Sequence, residues 1–202
     1  MVALARKLDP EKKANFLSAS LKLFVANGVQ NTSTAEIAKA AGSAAGTLFL
    51  YFPTKQDLVH ALVLKIGREQ SETIHALLEP ALSARETFFT IWEGTILWFL
   101  RNMDYYHYIR QVRDSGMIAA SVVEESALFF DYYYHAIQKG LKEARIQPYP
   151  IELIGGILYQ DIVAVMNLIL TQPDPAKQRE LIQSGFNIFW DGIRTIDEGH
   201  PK

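Results

Sequence analysis

The chain has no cysteine, which excludes disulfides, thiolate metal sites and cysteine nucleophiles. It lacks alternating apolar and polar runs bounded by hairpin turns, so β-structure is not expected. It also lacks internal repeats and low-complexity tracts. Charged or strongly polar residues interrupt every apolar stretch, so no membrane span is expected. Residues 1–13 lack the apolar centre of a secretory signal, and the expected location is cytoplasmic, away from any membrane. The five histidines are scattered and form no HExxH pair. There is no GxSxG elbow and no phosphate-cradling glycine loop, so no catalytic residue, metal ligand or cofactor is predicted and the chain is not expected to be an enzyme.

What is present is apolar mass and an uneven charge. Apolar residues make up 49% of the 202 positions, enough for a sizeable core. Residues 1–68 carry nine Lys/Arg against four Asp/Glu, a balance of +5, while the rest carries eleven against eighteen, a balance of −7. That asymmetry suits a protein whose N-terminal end meets a polyanion and whose remainder does not.

Helical periodicity runs throughout. Asp9-Pro10 is an N-cap followed by proline at the first helical position. Leu17, Leu21, Phe24 and Val25 then share one face, and Gly28 closes that helix. Ser33-Thr34-Ala35-Glu36 is a capping box opening a short helix to Ala41, with Ile37 and Ala38 facing inward. Gly42 breaks it, and a further short segment runs from Ala44 to Tyr51. Pro53 ends that segment, and Thr54-Lys55-Gln56-Asp57 starts a longer helix to about Leu78. Further helices are expected over 84–101, 104–114, 120–146, 151–171 and 176–196. The predicted class is all-α.

Two short helices joined by a glycine-containing turn and followed by a capped longer helix make a helix-turn-helix pattern. Its residues resemble the DNA-binding signature of the TetR (tetracycline-repressor-like) family. The resemblance rests on Leu23-Phe24, Gly28, Ser33 to Ala38, Ala41-Gly42 and Gly46-Thr47-Leu48-Phe49-Leu50-Tyr51-Phe52-Pro53-Thr54-Lys55. It covers about 50 residues in order and without gaps; beyond them the chain is similar only in length and helical character. The resemblance implies a three-helix DNA-binding domain over 1–53 and a larger helical effector-binding and dimerisation domain over 54–202. It implies a homodimeric, ligand-responsive transcription regulator, most simply a repressor, on a near-palindromic double-stranded DNA operator.

The resemblance also implies site residues. Ser33 and Thr34 match positions that cap the first motif helix and touch phosphate. Ser43 and Ala44 match the start of the recognition helix, with Ala44 where a serine is common. Ala45, Gly46 and Thr47 match positions facing base edges, and Tyr51 and Lys55 match phosphate contacts. Phe49 stands where a tyrosine is usual, which removes one hydroxyl. The recognition segment has no Arg, Lys, Asn or Gln, so bidentate base readout is unavailable there. Specificity is then expected from Thr47, thymine methyls, backbone donors and DNA shape. Arg6-Lys7 and Lys12-Lys13 are expected to add phosphate or minor-groove contacts.

The remainder is rich in aromatics: Trp92, Trp98, Phe99, Tyr105, Tyr106, Tyr108, Phe129, Phe130 and Tyr132 to Tyr134. Such residues build cores, and Tyr and Trp also bring polar tips to a pocket. In the family this region holds the effector cavity, so a small apolar or aromatic effector is expected. It would be lined by Trp92, Trp98, Phe99, Tyr105, Tyr106, Tyr108, Phe129 and Tyr133, with Gln160, Asp161 and Asn167 as polar anchors. The last two helices are apolar over much of their surface and are expected to form a homodimer interface across 151–196. The alternative is a helical ligand-binding or interaction protein that does not bind DNA.

Overall fold

The computed structural model describes residues 8–196. The basic pair Arg6-Lys7 therefore lies outside the described residues. Among those residues the fold is all-α, with no strand and one isolated antiparallel bridge, Ile146 to Arg194. The helices are α1 (Pro10–Asn27), α2 (Thr34–Ala40), α3 (Ala45–Tyr51), α4 (Lys55–His75), α5 (Ala84–Arg101), α6 (Met103–Asp114), α7 (Ala120–Ala127), α8 (Asp131–Lys142), α9 (Ile151–Ile169) and α10 (Pro175–Ile193).

Local chemistry places most of the boundaries. Asp9 caps α1 by accepting the Glu11 N–H at 2.9 Å, and Gly28 ends it with its N–H on the Phe24 carbonyl. Ser33 and Glu36 form a complete capping box at α2. Gly42, at φ 65°, makes the left-handed step after α2 that an L side chain rarely adopts, and so turns the chain toward α3.

One element differs from the sequence expectation. The helix predicted over 120–146 is three pieces: α7, a 3-10 turn at Leu128–Phe130, and α8. No glycine or proline marks the break, and the Phe129 carbonyl accepts the Ser71 hydroxyl there. After α8, Ala144 adopts φ 51°, while the Arg145 N–H bonds the Gly140 carbonyl at 2.8 Å, a left-handed helix stop built without glycine.

The helices pack as two compact units that do not follow the division expected at residue 53. One comprises residues 8–69 and 102–127; the other comprises residues 70–101 and 128–196. The first thus contains α6 and α7 as well as the helix-turn-helix. Its core holds Phe16, Phe24, Ile37, Leu48, Leu58, Leu62 and Tyr108, all fully buried. Tyr108 explains the difference: its ring stacks on Phe24 at 5.9 Å, and its hydroxyl donates to the Val59 carbonyl at 2.9 Å. The Val29 N–H adds a 3.2 Å bond to Gln111 of α6.

The second unit is built from α5, α8, α9 and α10 with the end of α4. Trp92 stacks on Phe189 at 6.1 Å and donates its indole N–H to the Ile182 carbonyl at 3.0 Å. Two bonds, Gln147 N–H to the Ile193 carbonyl (2.7 Å) and Thr195 N–H to the Arg145 carbonyl (3.0 Å), tie the segment after α8 to the end of α10.

Helix α9 is long and apolar enough to cross a membrane by length and composition alone, although Glu152 and Asp161 interrupt it. Its Ile154, Leu158, Ile162, Val165, Met166 and Ile169 are buried on one face. Asp161 at its centre would be costly in hydrocarbon.

Gly185 of α10 has no room for a side chain. A Cβ there would collide with Val165 and lie 2.9 Å from the buried Trp92 ring. Gly185→Ala is expected to destabilise the protein by about 1–3 kcal/mol through overpacking, despite the better helix propensity of alanine. Urea unfolding checks this: unchanged or increased stability would mean that α9, α5 and α10 are not packed at this distance.

Candidate nucleic-acid interface

The helix-turn-helix assembles from short-range bonds. Ser33 accepts the Glu36 N–H at 3.2 Å, and its own N–H and hydroxyl donate to Glu36 Oε2 at 2.8 and 2.7 Å. The carboxyl of Glu36 is held below its ordinary range by these hydrogen bonds from Ser33, and further by the nearby Lys55. Ser33 is therefore occupied as a cap, which limits the phosphate role implied for it. Thr34 is half-buried at the first position of α2.

The turn closes with Gly42 N–H on the Lys39 carbonyl (3.0 Å) and Ser43 N–H on the Ala38 carbonyl (2.9 Å). Ala44 is the N-cap of α3 and makes no side-chain cap bond, as expected of an alanine. Ala44, Ala45, Gly46, Phe49 and Leu50 are exposed, and Ser43 and Thr47 are half-buried. Leu48 is fully buried and anchors α3.

Two polar groups flank α3. Tyr51 packs on Phe16 at 5.5 Å and accepts the Asp9 N–H at 3.1 Å, so its own hydroxyl hydrogen remains available for donation. Lys13 of α1 lies over the Phe52 ring at 5.9 Å, which brings a cation to that end of α3. Lys55 donates to the Gln30 carbonyl at 3.3 Å. A caged hydroxyl, an oriented phenol, ammonium groups and an exposed small-residue helix start are together suited to a polyanionic duplex. Sequence reading missed Leu50 as a surface feature; its place opposite Leu48 on the helix was the available signal.

The predicted effector residues do not form a single group. Tyr105, Tyr106 and Tyr108 belong to the helix-turn-helix unit. Tyr105 there bonds Lys65 at 2.8 Å and Glu69 at 2.9 Å, and burial pushes the Tyr108 hydroxyl well up from its ordinary pKa. Trp92, Trp98, Phe99, Phe129 and Tyr133 belong to the second unit. Trp92, Trp98 and Phe99 are buried in its core, the last two with ring centroids 5.3 Å apart. On α9, Gln160 and Asn167 are exposed, whereas Asp161 is half-buried and burial raises its carboxyl pKa.

Tyr133 is the exception that carries chemistry. Its ring meets Phe88 edge-on at 6.1 Å, and a Cβ at Gly155 would lie 3.5 Å from it. Its hydroxyl is buried without a hydrogen-bond partner, and burial pushes its pKa up. A shallow cavity of about 360 Å³ in the same unit is lined by Leu100, Ile169 to Pro173 and Gln178, and contains none of the predicted effector residues.

The sequence profile of the tetR family of bacterial regulatory proteins matches residues 16–62, the span from Phe16 of α1 into α4. A curated relative, the HTH-type transcriptional regulator LuxR of Vibrio harveyi, is 29% identical over 91 residues. That match spans 45% of this chain and 44% of the relative, less than half of either. Among solved structures, a protein assigned to the tetR family of transcription regulators from Shewanella sp. PV-4 is 26% identical with a TM-score of 0.86, covering 92% of this chain and 99% of that one. A family regulator from Marinobacter aquaeolei VT8 shares the fold at a TM-score of 0.79 and 21% identity, covering 92% and 96%. The fatty acid degradation regulator FadR of Bacillus halodurans shares it at 0.72 and 17%, covering 92% and 97%. With the capped α2, the Gly42 turn and the exposed α3 in the matched segment, residues 16–62 carry the DNA-binding signature of the tetR family of bacterial regulatory proteins, and the chain shares the fold of solved tetR-family regulators.

Proposed function

We propose that the protein is a homodimeric, ligand-responsive repressor that binds a near-palindromic DNA operator through α2 and α3. The observation that carries this reading is the exposed α3, held by a capped α2 and flanked by Lys13, Tyr51 and Lys55 within the matched segment. Phosphate contacts from Thr34, Tyr51 and Lys55 would supply affinity, and Ala45, Gly46 and Thr47 would face the base edges. The uncapped start of α3 leaves backbone N–H groups to donate. Ser43 and Ala44 would sit where the backbone approaches the DNA.

Dimerisation through 151–196 is supported by what the packing of α9 leaves uncovered. Only the face of α9 that carries Ile154, Leu158, Ile162, Val165, Met166 and Ile169 is buried. Leu153, Ile157 and Leu168 of α9 and Ile188 of α10 are exposed, and nothing lies within 4 Å of a Cβ added at Gly156 or Gly192. Glycines on an exposed apolar face allow a second copy to approach closely, and a two-fold interface would use the same face twice.

An effector is supported by the buried, unpartnered Tyr133 hydroxyl, which burial keeps protonated and hence a donor. An apolar molecule with one acceptor group would satisfy it. Helix α4 offers a route to the DNA-binding end, because its Lys55 belongs to one unit and its residues 70–75 to the other.

Three outcomes test these proposals. Binding to a selected operator should fall steeply with salt as counterions are released. Lys55→Ala should weaken all sequences alike and reduce the salt slope by about one, while Thr47→Ala should alter sequence preference. Fluorescence anisotropy titrations decide, and unaltered affinity in both variants, with the fold retained, defeats the contact assignment. Sedimentation should show a dimer at micromolar concentration that the double variant Ile157→Arg, Ile188→Arg converts to a folded monomer; a monomeric parent removes the dimer proposal. Finally, a panel of long-chain fatty acids and aromatic acids should contain a binder whose affinity Tyr133→Phe lowers by about tenfold, the loss typical of one buried hydrogen bond. Saturating operator must change the binder's affinity by the factor with which it changes operator affinity, and calorimetry that finds no change rules the coupling out.

A further inference from the structure

Helix α3 exposes what a short helix ordinarily hides. Leu48 faces the core, so the opposite side of the helix is Gly46 and Leu50, flanked by Thr47 and Phe49. Leu50 is 67% exposed and Phe49 is 44% exposed. Nothing lies within 4 Å of the space a Cβ at Gly46 would fill. A single exposed leucine needs no explanation, but two adjacent large apolar residues on a seven-residue helix form a patch. Residues 37–56 contain no acidic side chain and do contain Lys39 and Lys55. Along the chain the flanking carboxylates, Glu36 and Asp57, are held in caps by Ser33 and Thr54, and Asp9, whose N–H bonds the Tyr51 hydroxyl, caps α1. The patch is therefore apolar, on a stretch of chain whose own charged side chains are all cationic.

We propose that this face reads the 5-methyl groups of thymine in the major groove, with Leu50 and Phe49 as specificity-determining residues beside the Thr47 methyl. The proposal rests on the regulator reading above. The side chains that read bases by paired hydrogen bonds are absent from α3, and the thymine methyl is the one apolar group that the base edges present in that groove. Side chains on a helix lean toward its N-terminus, which sets Leu50 over the bare Gly46 and extends the apolar surface toward the helix start. Alanines at positions 44 and 45 keep that start slim enough for close approach.

The test uses duplexes that the full-length protein selects from a randomised library. Replacing thymines one at a time by deoxyuridine deletes a methyl and leaves every hydrogen-bonding group in place. The expected loss is about fourfold in affinity for each contacted methyl, the cost of leaving one such group unburied. Leu50→Ala should bind the thymine and deoxyuridine forms alike at the positions Leu50 contacts, and circular dichroism should confirm an unchanged fold, because Leu50 lies outside the core. If deoxyuridine duplexes bind as tightly as thymine duplexes while binding stays salt-dependent, this inference falls and the regulator reading stands. If no duplex is bound at any salt concentration, both fall.

Discussion

The structure depends on the burial of Tyr108. Its side chain enters the core of the helix-turn-helix unit from α6, stacks on Phe24 of α1 and hydrogen-bonds the Val59 carbonyl of α4. Burial keeps the phenol neutral, so it remains a donor over the whole working range of pH. A residue placed far along the chain thus holds together the two helices that frame α2 and α3. The DNA-binding element is not a self-sufficient module of the first third of the sequence. It is complete only when α6 is docked.

This has a mechanical consequence. The chain passes from one compact unit to the other after Glu69, after Arg101 and after Ala127. The first passage lies inside α4, and at the second a single residue, Asn102, separates α5 from α6. Short, helical connections transmit displacement better than flexible ones, because they hold few conformations that could absorb it. A ligand that shifted the aromatic core around Trp92, Phe186 and Phe189 would act on helices covalently continuous with the DNA-binding unit. That route needs no contiguous chain of side chains.

Each of the two units leaves apolar surface exposed beside bare glycines. On α9 and α10, Leu153, Ile157 and Ile188 stand exposed beside bare glycines, the face proposed to meet a second copy. On α3, Leu50 and Phe49 stand exposed beside Gly46, the face proposed to meet thymine methyls. In each case the missing Cβ matters as much as the apolar residue, since it sets how close the partner's backbone or base edge can come.

The sequence by itself determined the helical class, nearly every helix start and the DNA-binding motif. These depend on short-range chemistry: the Asp9 and Ser33 caps, Pro10, the left-handed Gly42 and the spacing of Ile37, Leu48 and Leu58 all act within a few residues. The 3-10 break at Leu128–Phe130 was not legible, because it arises where the chain changes units and not from a glycine or proline. Nor could sequence reading sort the aromatics, since Tyr108, Trp92 and Tyr133 each pair an aromatic ring with one polar group on a helix. Tertiary structure alone decided that Tyr108 is a satisfied core residue, that Trp92 is spent on the Ile182 carbonyl, and that the Tyr133 hydroxyl is buried without a partner. Whether a buried polar group is satisfied depends on which carbonyl a distant helix brings to it, and no local pattern encodes that distance.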